Sequence, residues 1–141
     1  MEEIKTTELK GADSLTLAKR IVAVLIEKQA LDIRLYCVKD ESSITDYYVN
    51  ATGKSSTHLA SLADDVAYMT ELNGRAPERI EGRSGNSWYL IDYSDVIVNV
   101  FDKPSRDFYN FDRLMPESGR TDISDIEKEV DEKFKIKSIE D

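Results

Sequence analysis

The chain has 141 residues, of which 40% are hydrophobic, so it can bury a core in one domain and is too apolar for a disordered protein. Its formal net charge of −9 argues against direct nucleic-acid binding, which requires a cationic surface, and favours a basic protein partner. No apolar run approaches the roughly 20 residues that span a bilayer, and the start lacks a secretory signal. The single cysteine, Cys37, suits a reducing cytoplasm. We therefore expect a cytoplasmic protein without a membrane partner.

The first half of the chain predicts two helices and two strands. The apolar spacing in SLTLAKRIVAVLIEKQ is helical, with Asp13 or Ser14 as the N-cap. LDIRLYCV alternates in polarity and TDYYVNATG follows it, and both are typical of strands. SSTHLASLADDVAYMTELNG has one apolar helical face and stops at Asn73-Gly74.

The second half predicts three strands and a helix. Pro77 leads into the short strand ERIEG, and the turn residues RSGNS precede strands at Trp88–Tyr93 and Val96–Phe101. Pro104 opens a last helix in SRDFYNFDRLM. We therefore predict an α/β fold: a single domain at residues 1–115 with a mixed β-sheet flanked by helices, in the order αβαβα-βββ-α.

The composition shifts at residues 116–141, which we predict to be an acidic C-terminal tail. This segment has nine acidic and five basic residues. Because one short helix is not stable alone, we expect the tail to be dispensable for the fold. The positions spaced for a short amphipathic helix are Ile123, Ile126, Val130 and Phe134.

The predicted hairpin separates two kinds of side chain. With a two-residue loop at Ser94-Asp95, Ile91 faces Val98 and the β-branched residues share one face. A three-residue loop would instead place Trp88 with the valines, and we prefer the first register. Its second face carries Trp88, Leu90, Asp92, Ile97, Asn99 and Phe101.

Two interpretations of this second face remain open. In one, Trp88 caps the core beneath a helix and Asp92 satisfies a turn. In the other, the face is a contact surface anchored by Trp88, because tryptophan is enriched in binding hot spots.

Four motifs occur in order between Thr45 and Leu114: TDYYVNATGKS, RIEG, WYLIDYSDVIVNVF and RDFYNFDRL. Each is weak alone, but the four at this spacing are specific. Together they resemble the ribosomal silencing factor family, also called RsfS or Iojap-like.

The resemblance implies a nucleotidyltransferase-like fold without demonstrated transferase chemistry, no cofactor, and a homodimer in the free state. It also implies binding to the large ribosomal subunit through its fourteenth protein, on the intersubunit face, which blocks subunit joining and represses translation when nutrients are short. Together with the hairpin's second face, it assigns partner binding to Glu81, Trp88, Leu90, Asp92, Asn99, Phe101, Arg106 and Tyr109.

Two positions depart from the family pattern. Asn99 stands where the family usually has histidine, so a role that needs an imidazole is absent here. Met115 stands where a tryptophan commonly follows the leucine, which changes the last apolar contact.

The stretch ATGKSS joins a strand to a helix N-terminus and is a candidate anion-binding turn. Its candidate residues are Gly53, Ser55 and Ser56. The spacing is not that of a P-loop. Capping of the helix by Ser55 or Ser56 is the favoured interpretation.

The alternative function is a nucleotide-binding or nucleotidyltransferase-related enzyme that uses the turn at Thr52–Ser56. Such enzymes hold Mg²⁺ with two aspartates one residue apart on a strand. The nearest approach to this pattern is Asp92 and Asp95, three residues apart across a turn. We therefore predict no catalytic residue and no metal site.

Three other polar residues are predicted to be solvent-facing. His58 has no ligand cluster around it and is expected on a helix surface. Asp112 and Arg113 are expected to form an exposed ion pair, which stabilises little.

Overall fold

The structure is a computed structural model that describes residues 5–83, 85 and 87–140, and these residues form one sheet with four α-helices. The helices are α1 (Ser14–Glu27), α2 (Ser56–Leu72), α3 (Lys103–Tyr109) and α4 (Ser124–Glu140). The strands are β1 (Leu31–Cys37), β2 (Tyr47–Thr52), β3 (Arg79–Arg83), β4 (Trp88–Asp92), β5 (Val96–Phe101) and β6 (Arg120–Thr121).

The sheet has the strand order β3-β4-β5-β2-β1-β6, and β2 and β5 are the one parallel pair among the described strands. The prediction of a mixed sheet flanked by helices is confirmed. The predicted order αβαβα-βββ-α is wrong, because the observed order is αββα-βββ-α-β-α, although the separate strand predictions at LDIRLYCV and TDYYVNATG are confirmed. No helix separates β1 from β2, since residues 39–46 form a short connection that the Val38 N–H closes by donating to the Asp46 carbonyl at 2.8 Å.

The helices α1 and α2 pack on one face of the sheet and form the main core. Asp13 caps α1 by accepting a backbone N–H at 2.8 Å, and the Ser55 hydroxyl caps α2 in the same way at 3.1 Å, as predicted. The C-cap of α2 is Asn73, and Gly74 follows with a φ of +102°, which glycine adopts without strain. Fully buried core residues include Leu17, Ile21, Leu25, Leu59, Leu62 and Ile91.

The β4–β5 hairpin has the predicted register. Ile91 lies opposite Val98, and Ser94 in the two-residue loop has a φ of 77°, as tight hairpin turns require. The valine face is buried against the helices, with Val98 and Val100 both 0% exposed. Trp88 therefore lies on the opposite face of the sheet.

The C-terminal segment packs on the rest of the domain. β6 pairs with β1, and Gly119 permits this approach because a Cβ there would collide with the carbonyl oxygen of Cys37. Val130 of α4 is 4% exposed, and Ile123 and Ile126 pack against the core. Three of the four apolar positions of the predicted amphipathic stripe thus contribute to burial.

A chain that ends at Met115 is expected to melt at a lower temperature than the full chain, in contrast to the expectation from sequence. Burial of one aliphatic side chain such as Val130 stabilises by about 2 kcal/mol, and two further apolar side chains are lost with it. Thermal melts followed by circular dichroism measure the change. Val130→Ala should reproduce part of the loss, whereas the exposed-site control Glu129→Ala should not, and equal melting temperatures for both chains would contradict a stabilising α4.

Candidate interaction surface

The sheet face opposite α1 and α2 carries a short covering layer. It consists of α3 and a 3-10 turn at Phe111–Leu114. α3 begins where the Asp102 carboxylate accepts the Ser105 N–H at 2.9 Å, with Pro104 in the first turn as predicted. It stops at Asn110, whose left-handed φ of 48° directs the chain back over the sheet.

Five side chains at this layer form a contiguous set of rings, which we call the aromatic patch: Tyr48, Trp88, Phe108, Tyr109 and Phe111. The ring of Trp88 is central, with centroids 5.1 Å from Tyr109 and 6.4 Å from Phe111. Phe111 continues to Tyr48 at 5.4 Å, and Tyr109 continues to Phe108 at 5.0 Å. Because Phe108 is 81% exposed and Tyr109 is 43% exposed, the patch presents apolar surface to solvent.

Trp88 combines the two interpretations left open by the sequence. One side of its ring packs on the fully buried Phe101, with centroids 5.0 Å apart, so it does cap the sheet. Trp88 is half-buried, so part of this side chain is also at the surface. Asp92 does satisfy the turn, since it accepts the Ser94 N–H at 2.7 Å, and it pairs with Arg79 at 3.3 Å.

A chain of hydrogen bonds, which we call the relay, runs from Trp88 through Asn99 and Asn50 to Asp112. The indole N–H of Trp88 donates to Asn99 Oδ1 at 3.0 Å, and Asn99 Nδ2 donates to Asn50 Oδ1 at 3.2 Å. Asn50 Nδ2 then donates to Asp112 Oδ1 at 3.0 Å. Both amides are buried, and every donor in the relay points towards the carboxylate.

An ion pair holds the end of the relay beneath α3. Arg106 is 5% exposed, and its Nε donates to Asp112 Oδ2 at 2.9 Å. The same guanidinium donates to Thr52 Oγ1 at 2.9 Å and to the carbonyl oxygen of Asp32 at 2.6 Å. The Tyr36 hydroxyl donates to Asp112 at 3.1 Å, so the carboxylate joins four parts of the chain.

The prediction of an exposed ion pair between Asp112 and Arg113 is wrong. The Asp112 side chain is 13% exposed, and its partner is Arg106. Burial alone would raise the pKa of Asp112, but hydrogen bonds from Arg106 and Asn50 outweigh it and hold the pKa of this carboxyl below its usual value. The pairing depends on the left-handed turn at Asn110, which has no clear signature in the sequence.

Three of the eight residues predicted to bind a partner are buried in the structure. Asn99, Phe101 and Arg106 are 1%, 0% and 5% exposed, so they support the surface from below. Phe101 and Asn99 do so through Trp88, and Arg106 does so through Asp112. The residues that reach solvent at least in part are Glu81, Trp88, Leu90, Asp92 and Tyr109.

Three rings of the aromatic patch, those of Tyr48, Phe108 and Phe111, were not predicted from the sequence. Phe108 and Phe111 lie in the motif RDFYNFDRL, and their spacing of three was visible. The spacing could not show that one ring faces solvent while the other packs on Tyr48, because the helix ends between them.

The turn after β2 is a helix cap, as favoured from sequence. The Gly53 N–H donates to the last carbonyl of β5 at 2.8 Å, and the Lys54 N–H donates to His58 Nδ1 at 2.9 Å. With these two amides engaged, the turn offers fewer free donors to an anion. Glycine at position 53 allows a close approach to α2, because a Cβ there would lie 3.0 Å from the Cα of Leu59 and the backbone would have to shift.

His58 lies on α2 as predicted, and both of its ring nitrogens have structural partners. Nδ1 accepts the Lys54 N–H, so the proton is on Nε2, which lies 2.8 Å from the Lys28 carbonyl oxygen. The imidazole therefore ties the start of α2 to the end of α1.

Within residues 5–83, 85 and 87–140, no group of three or more His, Cys, Asp or Glu side chains could hold a metal ion. The two aspartates nearest to a metal-binding pattern have different partners: Asp92 pairs with Arg79, and Asp95 pairs with Arg75 at 2.8 Å. No helix in this described part of the chain has the length and apolar character needed to cross a membrane.

Comparison with known proteins gives one family. The family described as "Ribosomal silencing factor during starvation" matches residues 11–140. A "Ribosomal silencing factor RsfS" from Zymomonas mobilis is 34% identical over 98 residues, which cover 70% of this chain and 74% of the relative. The protein of that name from Bacillus subtilis is 28% identical over 108 residues, covering 77% and 92%. A mouse relative named "Mitochondrial assembly of ribosomal large subunit protein 1" is 27% identical over 97 residues, covering 67% and 42%.

Two solved structures have the same fold. A Chromobacterium violaceum protein superimposes with a TM-score of 0.70 and 25% identity over 73% of this chain and 86% of its own. A Bacillus halodurans protein superimposes with a TM-score of 0.64 and 28% identity over 77% and 95%. The family match also continues past residue 114 through β6 and α4. This chain therefore belongs to the ribosomal silencing factor family.

Proposed function

We propose that this protein silences translation by binding the large ribosomal subunit on its intersubunit face, through the fourteenth protein of that subunit. Bound there, it blocks subunit joining when nutrients are limited. In this proposal the free protein is a cytoplasmic homodimer and acts without catalysis. The observation that carries the proposal is the aromatic patch, which lies on the motifs shared with the silencing factors.

The aromatic patch has the properties of a docking surface. Tryptophan and tyrosine are enriched at binding hot spots, and Trp88 occupies the centre of the patch with Tyr109 beside it. Phe108 and Leu114 are 81% and 69% exposed, so a partner that covers them removes apolar area from water. The buried relay and ion pair hold the patch in place before binding, which lowers the entropic cost of association.

The charge of the chain and the names of its relatives support a ribosomal partner. A net charge of −9 favours fast association with a basic protein and makes that association sensitive to salt. The mouse relative's name assigns it to assembly of the ribosomal large subunit. A 16.0 kDa body on the intersubunit face would obstruct the small subunit by its volume alone, so no chemistry is required.

The purified protein is expected to co-sediment with isolated large subunits in sucrose gradients and to lower the yield of joined ribosomes. Phe108→Ser should weaken this binding, by about tenfold, because a solvent-facing ring at the patch is lost. The matched control is Tyr68→Ser, which removes a ring that is 54% exposed on α2, behind the sheet. Gradient profiles unchanged by the wild-type protein, with no protein in the large-subunit fractions, would contradict the proposal.

The alternative, a nucleotide-dependent enzyme, is supported by one observation. An open pocket of about 800 Å³ lies beside Gly53 and is lined in part by Lys54, Lys103 and Arg106. All three cations already have partners, because Lys54 Nζ donates to Gln29 Oε1 at 3.1 Å, Lys103 pairs with Asp107, and Arg106 pairs with Asp112. The pocket is therefore less attractive to phosphates than its three basic side chains indicate.

Incubation with labelled nucleoside triphosphates, Mg²⁺ or Mn²⁺, and protein or RNA acceptors is expected to give no label transfer. Nucleotidyl transfer depends on metal ions held by converging carboxylates, and Asp92 and Asp95 diverge towards different arginines. Label transfer that is lost in Asp92→Asn would favour the enzyme over the binding protein.

A further inference from the structure

We propose that Asn99 is a positioning residue for the aromatic patch: its buried amide fixes the indole of Trp88 in the orientation that the partner binds. The inference rests on the proposed function for its consequence, since docking through the patch is part of that proposal. Its first step, the orientation of Trp88 in the free protein, does not depend on any partner.

The Asn99 amide uses both of its ends. Its oxygen accepts the indole N–H of Trp88 at 3.0 Å, and its nitrogen donates to Asn50 at 3.2 Å. Because Asn99 is 1% exposed, bulk water cannot replace a lost partner without opening the layer above it. The indole is thereby linked, through Asn50, to the carboxylate of Asp112.

The direction of the relay determines which side chains can replace Asn99. Position 99 must accept a hydrogen bond from Trp88 and donate one to Asn50 Oδ1. Aspartate accepts but cannot donate, leucine does neither, and a neutral imidazole does both. An amide flip at Asn50 cannot rescue aspartate, because the flipped oxygen would then face the carboxylate of Asp112.

Release of the indole N–H would affect the whole aromatic patch. The rings of Tyr109 and Phe111 pack on Trp88 at centroid distances of 5.1 and 6.4 Å, and Phe111 packs in turn on Tyr48. A Trp88 ring that samples several orientations must be ordered again on binding, and that cost appears as lost affinity. Asn99 thus acts on the partner without touching it.

The chain has a single tryptophan, so its fluorescence reports directly on this site. In the free protein we expect Asn99→Leu, which cannot accept the indole N–H, to raise acrylamide quenching and lower the emission anisotropy of Trp88. The packing control is Ile97→Val, which trims a side chain that is 8% exposed two residues away on the same sheet face and should leave both signals unchanged. Circular dichroism verifies that each variant is folded.

Asn99→His supplies the test that a merely structural role would not pass. At about pH 8 the histidine ring is neutral and should restore the wild-type fluorescence. At about pH 5.5, below the ordinary histidine pKa of ~6.5, the ring is protonated and cannot accept the indole N–H, so quenching of Trp88 should rise. The charged groups that reach the relay are Asp112 and Arg106, with the Tyr36 hydroxyl beside them. The wild-type signal should be the same at both pH values, because the lowered pKa of Asp112 keeps that group ionised.

Binding to isolated large subunits forms the second arm. We expect Asn99→Leu to raise Kd by about tenfold, the effect of one or two lost hydrogen bonds, and Asn99→His to bind within a fewfold of wild type at pH 8. If Asn99→Leu folds and its Trp88 is quenched no more than in the wild type, the positioning role is wrong. If Asn99→Leu does not fold, quenching of Asn99→His that is the same at both pH values would equally overturn it. If Asn99→Leu raises the quenching of Trp88 but leaves Kd unchanged, the orientation of Trp88 does not affect partner binding, and this second step of the proposal is wrong. Failure of the wild type to bind large subunits would instead refute the proposed function, while fluorescence still decides how Trp88 is held.

Discussion

Trp88→Ala is expected to weaken binding to large ribosomal subunits by about thirtyfold or more, since truncation of a central aromatic anchor typically costs about 2 kcal/mol. The loss has two sources. The ring itself leaves the interface, and Tyr109 and Phe111 lose the surface on which they pack. Kd is measured with fluorescently labelled protein at a temperature where the variant is fully folded.

The matched control for Trp88→Ala is Tyr68→Ala, which truncates an exposed ring on α2, behind the sheet. It should bind as the wild type does. Trp88→Ala is also expected to lower the melting temperature, because the ring packs on the buried Phe101. Binding within threefold of wild type would show that the partner docks elsewhere on the molecule.

Arg106→Met is expected to lower the free energy of unfolding by about 3 kcal/mol, because it leaves the Asp112 carboxylate, whose side chain is 13% exposed, without its cation. The methionine replaces the apolar stem of the arginine, so the loss comes mainly from the ion pair and from the hydrogen bonds to Thr52 and to the Asp32 carbonyl. Urea denaturation near neutral pH measures it. Adding Asp112→Leu in the same chain should recover part of the loss, because the unpaired charge is then removed.

The stability change should depend on pH in a defined direction. In the wild type, the pKa of Asp112 is lowered by folding, so its contribution to stability is present above the unfolded pKa of about 4 and is lost as pH falls through the folded value. In Arg106→Met the lowering effect of the cation is absent, so the pKa of Asp112 should rise relative to that of the wild type. The deficit should therefore be largest near neutral pH and shrink towards acid, and a deficit that is constant with pH would contradict the ion-pair explanation.

The elements whose geometry is local were predictable from sequence. The β4–β5 hairpin followed from strict alternation of side chains around Ser94-Asp95, because a one-residue slip would have exposed the valines. The caps at Asp13 and Ser55 followed from side chains that bond their own backbone.

The relay was not predictable, because its members come from separate segments. Asn99 was predicted to bind a partner, Asp112 was predicted to form an exposed ion pair, and Asn50 was not singled out. Their meeting depends on the parallel pairing of β2 with β5, which sets Asn50 directly beside Asn99. It depends equally on the turn at Asn110 that brings Asp112 over the sheet.

The packing of the tail on the domain was not predicted, for a related reason. The spacing of Ile123, Ile126 and Val130 predicted an amphipathic helix, but propensity alone could not show what covers its apolar stripe. In the structure, α1 and the core cover that stripe. Packing against the domain therefore stabilises a helix that would be marginal alone.

The parallel pairing of β2 with β5 also joins two parts of the sheet that can form at different stages of folding. β1 and β2 form an antiparallel pair through a short connection, and β3, β4 and β5 follow one another as neighbours. The two halves meet where Val49 lies beside Val98, a contact between distant parts of the chain. The loop-closure entropy of such a contact is unfavourable, and it is offset only after many further contacts have formed. Joining the two halves is therefore the expected slow step of folding. During synthesis, the centre of the sheet must therefore remain unpaired until β5 has left the exit tunnel, while the strands on the β1 side can already pair.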